Sequence, residues 1–243
     1  MSAIRKLAAE AADNGRLAPE LAQGISRVKS VKSTGIRVGN WLSQRQAQTL
    51  LSAPDVTTIT GLRDRAILAV LLGCGLRRSE VAALTPARVQ QRDGRWCIVD
   101  LVGKHGRVRT APMPDLVKVA IDAWTSAPGV AAGHVFRPVN RGGTVTGERL
   151  GEKVVWQTLR RYATEVGVPG IAPHDLRRTC AKLCRAAGGE LAQIQLLLGH
   201  ASSRRPSGIL ARNRISLTHL MMQSDFGSRS DIRFQHQAKR DGR

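Results

Sequence analysis

The chain has 243 residues, 42% of them hydrophobic, and carries a formal net charge of +20. That length supports one well-buried domain plus a small accessory piece, and the charge favours a polyanionic partner, nucleic acid rather than a membrane, since no basic amphipathic anchor accompanies it. No stretch approaches about 18 uninterrupted apolar residues. The N-terminus MSAIRKLAAEAADNG also lacks a secretory apolar region, so a cytoplasmic protein is expected.

Residues 3–12 repeat apolar groups at helical spacing, and a second short helix fits 18–28. A basic, polar connector, SVKSTGIRVGN, follows, and the main domain is expected to begin near Trp41. GLRDRAILAVLLG reads as a largely buried helix stopped by Gly73 and Gly75, and SEVAALT as a short helix ended by Pro86. The period then changes. Asp93-Gly94 marks a turn, Trp96 to Val102 a β-rich run, and Gly103 to Gly106 a second turn bearing Lys104, which together give a three-stranded antiparallel sheet. Helices are expected at 114–126, with Pro114 as first residue, and at about 148–166. HDLRRTCAKLCRAAGG is amphipathic through Leu176, Cys180, Leu183, Cys184 and Ala187, and a last helix, Glu190 to Leu198, is closed by Gly199. The fold class is therefore α+β, mainly α, with one small sheet.

The four cysteines, at 74, 97, 180 and 184, form no CxxC pair and read as buried reduced thiols. With no phosphate-binding glycine loop, dinucleotide fingerprint or zinc-finger spacing, no cofactor and no metal is expected. Several polar groups sit where a core-building sequence would not put them. Arg77 follows the most hydrophobic helix, where it has Glu80 or Asp64 as possible structural partners. His174 and Arg177 lie three apart at a helix start, His200 follows a glycine cap, and Lys104 occupies a turn. Two arginines, two histidines and a lysine suit one anionic centre. Guanidinium groups match the non-bridging oxygens of a phosphodiester, histidine moves a proton near neutral pH, and lysine can protonate a leaving alkoxide. No carboxylate cluster suggests a two-metal mechanism.

Taken in order, GCGLRRSE, VGKHGRVR, PHDLRRT and LLLGH strongly resemble the catalytic domain of the tyrosine recombinases, the phage integrase family, from about residue 41 to residue 201. The resemblance implies roles for five residues. Arg77 is the first catalytic arginine, Lys104 the general acid on the leaving 5′ hydroxyl, His174 and Arg177 the HxxR pair, and His200 the histidine of LGH. It also implies site-specific cleavage and rejoining of double-stranded DNA, and synaptic tetramers in intact relatives. A sixth residue, a nucleophilic tyrosine a few positions beyond LGH, is called for as well. The single tyrosine of these 243 residues is Tyr162, whose apolar neighbours mark it as a packing residue, so no nucleophile is assigned.

From residue 202 onward there is no glutamate and one lysine, Lys239, against eight arginines. Codons permitted for SSRRPSGIL, read from the third base of the first, spell VQTTERYL, which would place a tyrosine nine positions after His200. The expectation is a one-base deletion near Ser202 followed by an aberrant, disordered basic tail over 202–243. Residues 1–30 would be the remnant of a helical core-binding domain, 31–40 a linker, and 41–201 the catalytic domain. Such a chain would bind DNA without cleaving it and would not assemble cyclically. The competing expectation is a non-enzymatic regulator using a helix-turn-helix-like RAILAVLLGCGLRRSEVAALT, and it leaves Lys104, HDLRRT and LGH unexplained. A general RNA-binding protein fits poorly, because aromatics make up 3% of the chain.

Overall fold

A computed structural model describes residues 2–28, 40–103, 106, 108–130 and 132–199. Lys104, His200, nearly all of the expected linker and the 202–243 tail lie outside the described residues. The chain divides between Val38 and Gly39 into two units. The first contains an α-hairpin, α1 (Ser2–Asp13) and α2 (Pro19–Arg27), closed on the small residues Ala8 and Ala22. Ile4, Leu7 and Leu21 of these helices stay exposed.

The second unit is built around α4 (Ile59–Gly73), a helix buried on all sides from Ala66 to Gly73. A helix apolar around its whole circumference belongs at the centre of a domain, and here it is flanked by α3 (Gln44–Ser52), α6 (Asp115–Ser126), α7 (Glu152–Glu165) and α8 (Pro173–Ala186). The sequence reading missed α3. Its start is fixed by a reciprocal cap, in which the Gln46 amide donates to Ser43 Oγ and the Ser43 amide to Gln46 Oε1. Thr58 caps α4 by accepting from the Gly61 amide at 3.0 Å.

Two expected boundaries shift. Pro114 is the residue before α6 rather than its first, its carbonyl accepting from the amides of Val117 and Lys118. The helix expected from 148 starts at Glu152, after Gly151, because residues 139–145 first make a small turn bridged between Val139 and Val145. A short α5 (Arg78–Ala82) follows α4, and Pro86 opens a 3-10 turn, Pro86–Arg88, in place of ending a helix.

The sheet is as expected: β1 (Val89–Arg92), β2 (Arg95–Val102) and β3 (Val108–Pro112), antiparallel in that order. Asp93 and Gly94 both take positive φ in the tight β1–β2 turn, the geometry that matches strand twist. Its inner face, with Ile98, Leu101 and Ala111, joins the core. The last described helix is α9 (Leu191–Leu197), packed on β3 and α8. All four cysteines are free and buried. Among the described residues no helix is long and apolar enough to cross a membrane.

Candidate active site

The C-terminal end of α4, the start of α5, the middle of β3, the first turns of α8 and the end of α9 carry one connected cluster of charge. Its centre is Glu80, whose side chain is 5% exposed. Oε1 accepts from Arg77 Nη1 at 2.8 Å and from Arg109 Nη1 at 2.6 Å. Oε2 accepts from the Arg77 backbone amide at 2.8 Å and from Arg109 Nη2 at 2.9 Å. Burial alone would raise the Glu80 pKa, but the hydrogen bonds and charge of Arg109 and Arg77 outweigh it and hold the carboxyl below its ordinary value. Arg77 thus pairs with Glu80, the first of its two possible structural partners. It also keeps about a third of its side chain, 35%, open to solvent.

Arg177 completes the cluster from α8. It is buried, and its Nη1 donates to the carbonyl of Gly75, two residues before Arg77. Gly75 takes φ +58, and a Cβ there would sit 3.1 Å from Leu198 Cδ2 and 3.4 Å from Cys180 Sγ. Only glycine lets the chain turn at this point while α8 and α9 close over it. Arg177 Nη2 is buried and has no hydrogen-bond partner among the described residues. Desolvation, followed by the positive charges of Arg77 and Arg109, pushes the Arg177 pKa down from the ordinary arginine value to about 10, against the opposing pull of Glu80.

The electrostatic balance follows directly. Among the described residues, three guanidinium groups, Arg77, Arg109 and Arg177, surround a single carboxylate, leaving an excess of positive charge in a largely desolvated place. Such an arrangement is costly unless an anion enters it, and the planar, permanently charged guanidinium is suited to phosphate oxygens.

Of the five residues singled out from sequence, Arg77 and Arg177 are brought together in this cluster. His174 lies three residues before Arg177 in the first turn of α8 and is exposed. The turn there is fixed by Asp175, which accepts from the Ala172 amide at 3.1 Å. Lys104 and His200 lie outside the described residues, although the strands flanking the former, β2 and β3, and the helix preceding the latter, α9, are described. Sequence reasoning missed Arg109. The available signal was strand alternation: Arg109 shares its side of β3 with buried Ala111, so an arginine stands on an inward face. Tyr162 is buried in α7, its hydroxyl 3.3 Å from Asp64 Oδ2 and also bonded by Arg161. Asp64 precedes Gly73 by nine residues of α4, a rise of about 13 Å, so this cluster sits far along the helix from Arg177.

Comparison with known proteins points the same way. The profile of the phage integrase family matches residues 40–206. Tyrosine recombinase XerD of Pseudomonas aeruginosa is 31% identical over 186 residues, covering 73% of this chain and 60% of the relative. Tyrosine recombinase XerD of Shewanella oneidensis is 32% identical over the same length, covering 73% and 59%. The chain therefore spans about 60% of the length of the curated relatives it matches. Among solved structures, a lambda integrase tetramer bound to a Holliday junction superposes with a TM-score of 0.59 at 16% identity, over 86% of this chain and 59% of that one. XerA recombinase superposes with a TM-score of 0.54 at 19% identity, over 91% and 77%. At those identities the likeness concerns the fold. A mainly helical domain with one three-stranded antiparallel sheet, matched from residue 40 to residue 206, belongs to the phage integrase family of tyrosine recombinases.

Proposed function

We propose that the Arg77–Arg177 cluster is a seat for one phosphodiester of double-stranded DNA, in a chain descended from enzymes of site-specific recombination. The observation that carries this reading is the buried Arg177 Nη2, without a partner among the described residues, in a cluster where those residues supply three guanidinium groups and one carboxylate. A phosphate between them supplies the missing negative charge and the missing acceptor together. By the family resemblance, Arg77 and Arg177 hold the non-bridging oxygens as charge develops, His174 and His200 manage protons at the phosphate, and Lys104 protonates the departing 5′ hydroxyl.

In such a reaction a tyrosine oxygen attacks phosphorus, and the 5′ oxygen leaves as the 3′-phosphotyrosyl bond forms, which conserves a phosphodiester bond for rejoining. Within these 243 residues the one tyrosine, Tyr162, is buried and bonded to Asp64 and Arg161. The proposal is therefore a chain that binds DNA and does not join to it. Its sequence from residue 202 reads as that of a shifted reading frame, which would put the partner-exchanging C-terminal segment of a synaptic tetramer out of frame.

A labelled, nicked duplex tests this reading. The expected result is retardation in a native gel at low salt with no label retained on the protein after SDS. Label that survives SDS overturns the non-covalent part, and an unretarded duplex at low salt overturns DNA binding.

A further inference from the structure

Arg109 has no assigned task in the phosphate seat, yet it is the most heavily engaged arginine of the cluster. Its side chain is 8% exposed. Both terminal nitrogens go to Glu80, at 2.6 and 2.9 Å, and Nε donates to the Leu197 carbonyl at 3.0 Å. That carbonyl is one of the last of α9, which the helix itself leaves without an intrahelical donor. One planar group therefore connects three elements: the start of α5 through Glu80, the inward face of β3, and the C-terminal end of α9.

The close of α9 is shaped around this side chain. Gly199 takes φ +60, and a Cβ there would lie 2.9 Å from Arg109 Cδ and 3.4 Å from Nε. The first distance is shorter than real Cβ contacts show. The glycine before His200 thus meets two separate demands: a left-handed turn, and room for the Arg109 stem to pass beneath it. Glu80, meanwhile, accepts from Arg77 through the same two oxygens that hold Arg109.

We infer that Arg109 is a positioning residue, a strut that ties the end of α9, from which the chain runs on into His200, to the carboxylate that holds Arg77. Arg109 touches no reacting atom; it fixes the spacing between two parts of the site that lie more than 100 residues apart in sequence. The inference rests on the phosphate-seat reading for its purpose, but not for its geometry. Lysine cannot replace the arginine. An ammonium can satisfy one carboxylate oxygen or the Leu197 carbonyl, whereas the three-way contact needs the terminal pair and Nε of a single plane.

Two measurements on the full chain test it. The first is a double-mutant cycle in urea with Arg109→Ala, Gly199→Ala and the pair. The backbone strain of alanine at φ +60 is present in both backgrounds and cancels, leaving the contact. The unfolding midpoint should shift for Gly199→Ala in the native background by roughly twice the shift seen in the Arg109→Ala background. Equal shifts overturn the strut.

The second is the pH titration of the His200 imidazole by NMR, assigned with His200→Gln, in the absence and presence of a short duplex. A nearby phosphate favours the protonated ring, so the duplex should raise the native midpoint by roughly one pH unit. Arg109→Lys should lose most of that rise, and Arg92→Gln, at the exposed end of β1, should keep it. An Arg109→Lys chain that unfolds at the native midpoint and keeps the full rise overturns the positioning role, because packing alone then accounts for the arginine. A native chain that shows coupling in the cycle but no response of His200 to the duplex supports the strut and contradicts the phosphate seat, so the two failures are distinguishable.

Discussion

Replacing Arg177 with methionine should cost the free protein almost nothing, although breaking up a buried charge cluster commonly costs several kcal/mol. At neutral pH the Arg177 charge is held in a place that lowers its pKa from the ordinary arginine value to about 10. At about 1.4 kcal/mol per pH unit, that is about 3 kcal/mol stored against the folded state. The residue is 3% exposed, so solvent does little to relieve the cost. In the other direction stands the hydrogen bond from Nη1 to the Gly75 carbonyl, worth about 1.5–3 kcal/mol for a charged donor. Methionine fills most of the volume, removes an Nη2 that has no partner among the described residues, and ends the repulsion from Arg77 and Arg109. The two effects nearly cancel. For a domain of this size about 1 kcal/mol corresponds to about 2–4 °C, so the expected Tm change at pH 7 without DNA is within about 4 °C of zero. Differential scanning calorimetry reads it directly. Added inorganic phosphate, at constant ionic strength, should raise the Tm of the native chain and leave Arg177→Met unmoved. A loss of more than about 8 °C on substitution, or the same phosphate response in both chains, refutes the reasoning and makes Arg177 an ordinary structural arginine.

Glu80→Gln should behave oppositely, because it removes the one carboxylate among three guanidinium groups. A loss of about 3–5 kcal/mol at pH 7 is expected from urea unfolding. The Glu80 pKa is depressed in the folded chain below its ordinary 4.5, so its contribution is fully present above that value and is lost as pH falls through the folded-state pKa. The gap between native and variant should therefore narrow below about pH 4.5, and a gap that widens there contradicts the pairing. Tyr162→Phe should lower stability by about 1 kcal/mol, since Asp64 keeps Arg63 and Arg161 as partners. It should leave DNA affinity unchanged, and a tenfold loss of affinity would give that hydroxyl a role beyond packing.

Much of this fold was legible because its signals are local. The Asp93-Gly94 turn between β-rich runs, the uninterrupted apolar helix before Gly73, and the amphipathic spacing of α8 each state their own structure over a dozen residues. The α3 helix carries an equally local signal, the Ser43-x-x-Gln46 cap. The starts of α6 and α7 differ from the expected 114 and 148 because a proline or glycine fits just outside a helix as well as just inside it. The site was legible in part. Arg77 and Arg177 stood out as charges beside apolar helices. What their neighbours do was not legible, because the partners meet across distance: Arg109 reaches Glu80 over 29 residues and Leu197 over 88. Nor could the sequence show that Glu80 serves Arg77 and Arg109 at once. A carboxylate three residues after an arginine reads as a simple helical pair, and only the folded sheet reveals the second guanidinium.

The most direct test of the phosphate seat is the salt dependence of duplex binding, measured by fluorescence anisotropy for the native chain and for Arg177→Met. Each phosphate neutralised contributes about one unit of slope in log affinity against log salt. A steep slope is expected for the native chain, lower by about one unit in the variant. Identical slopes and affinities for the two chains, or binding indifferent to salt, would contradict a phosphate held by Arg177.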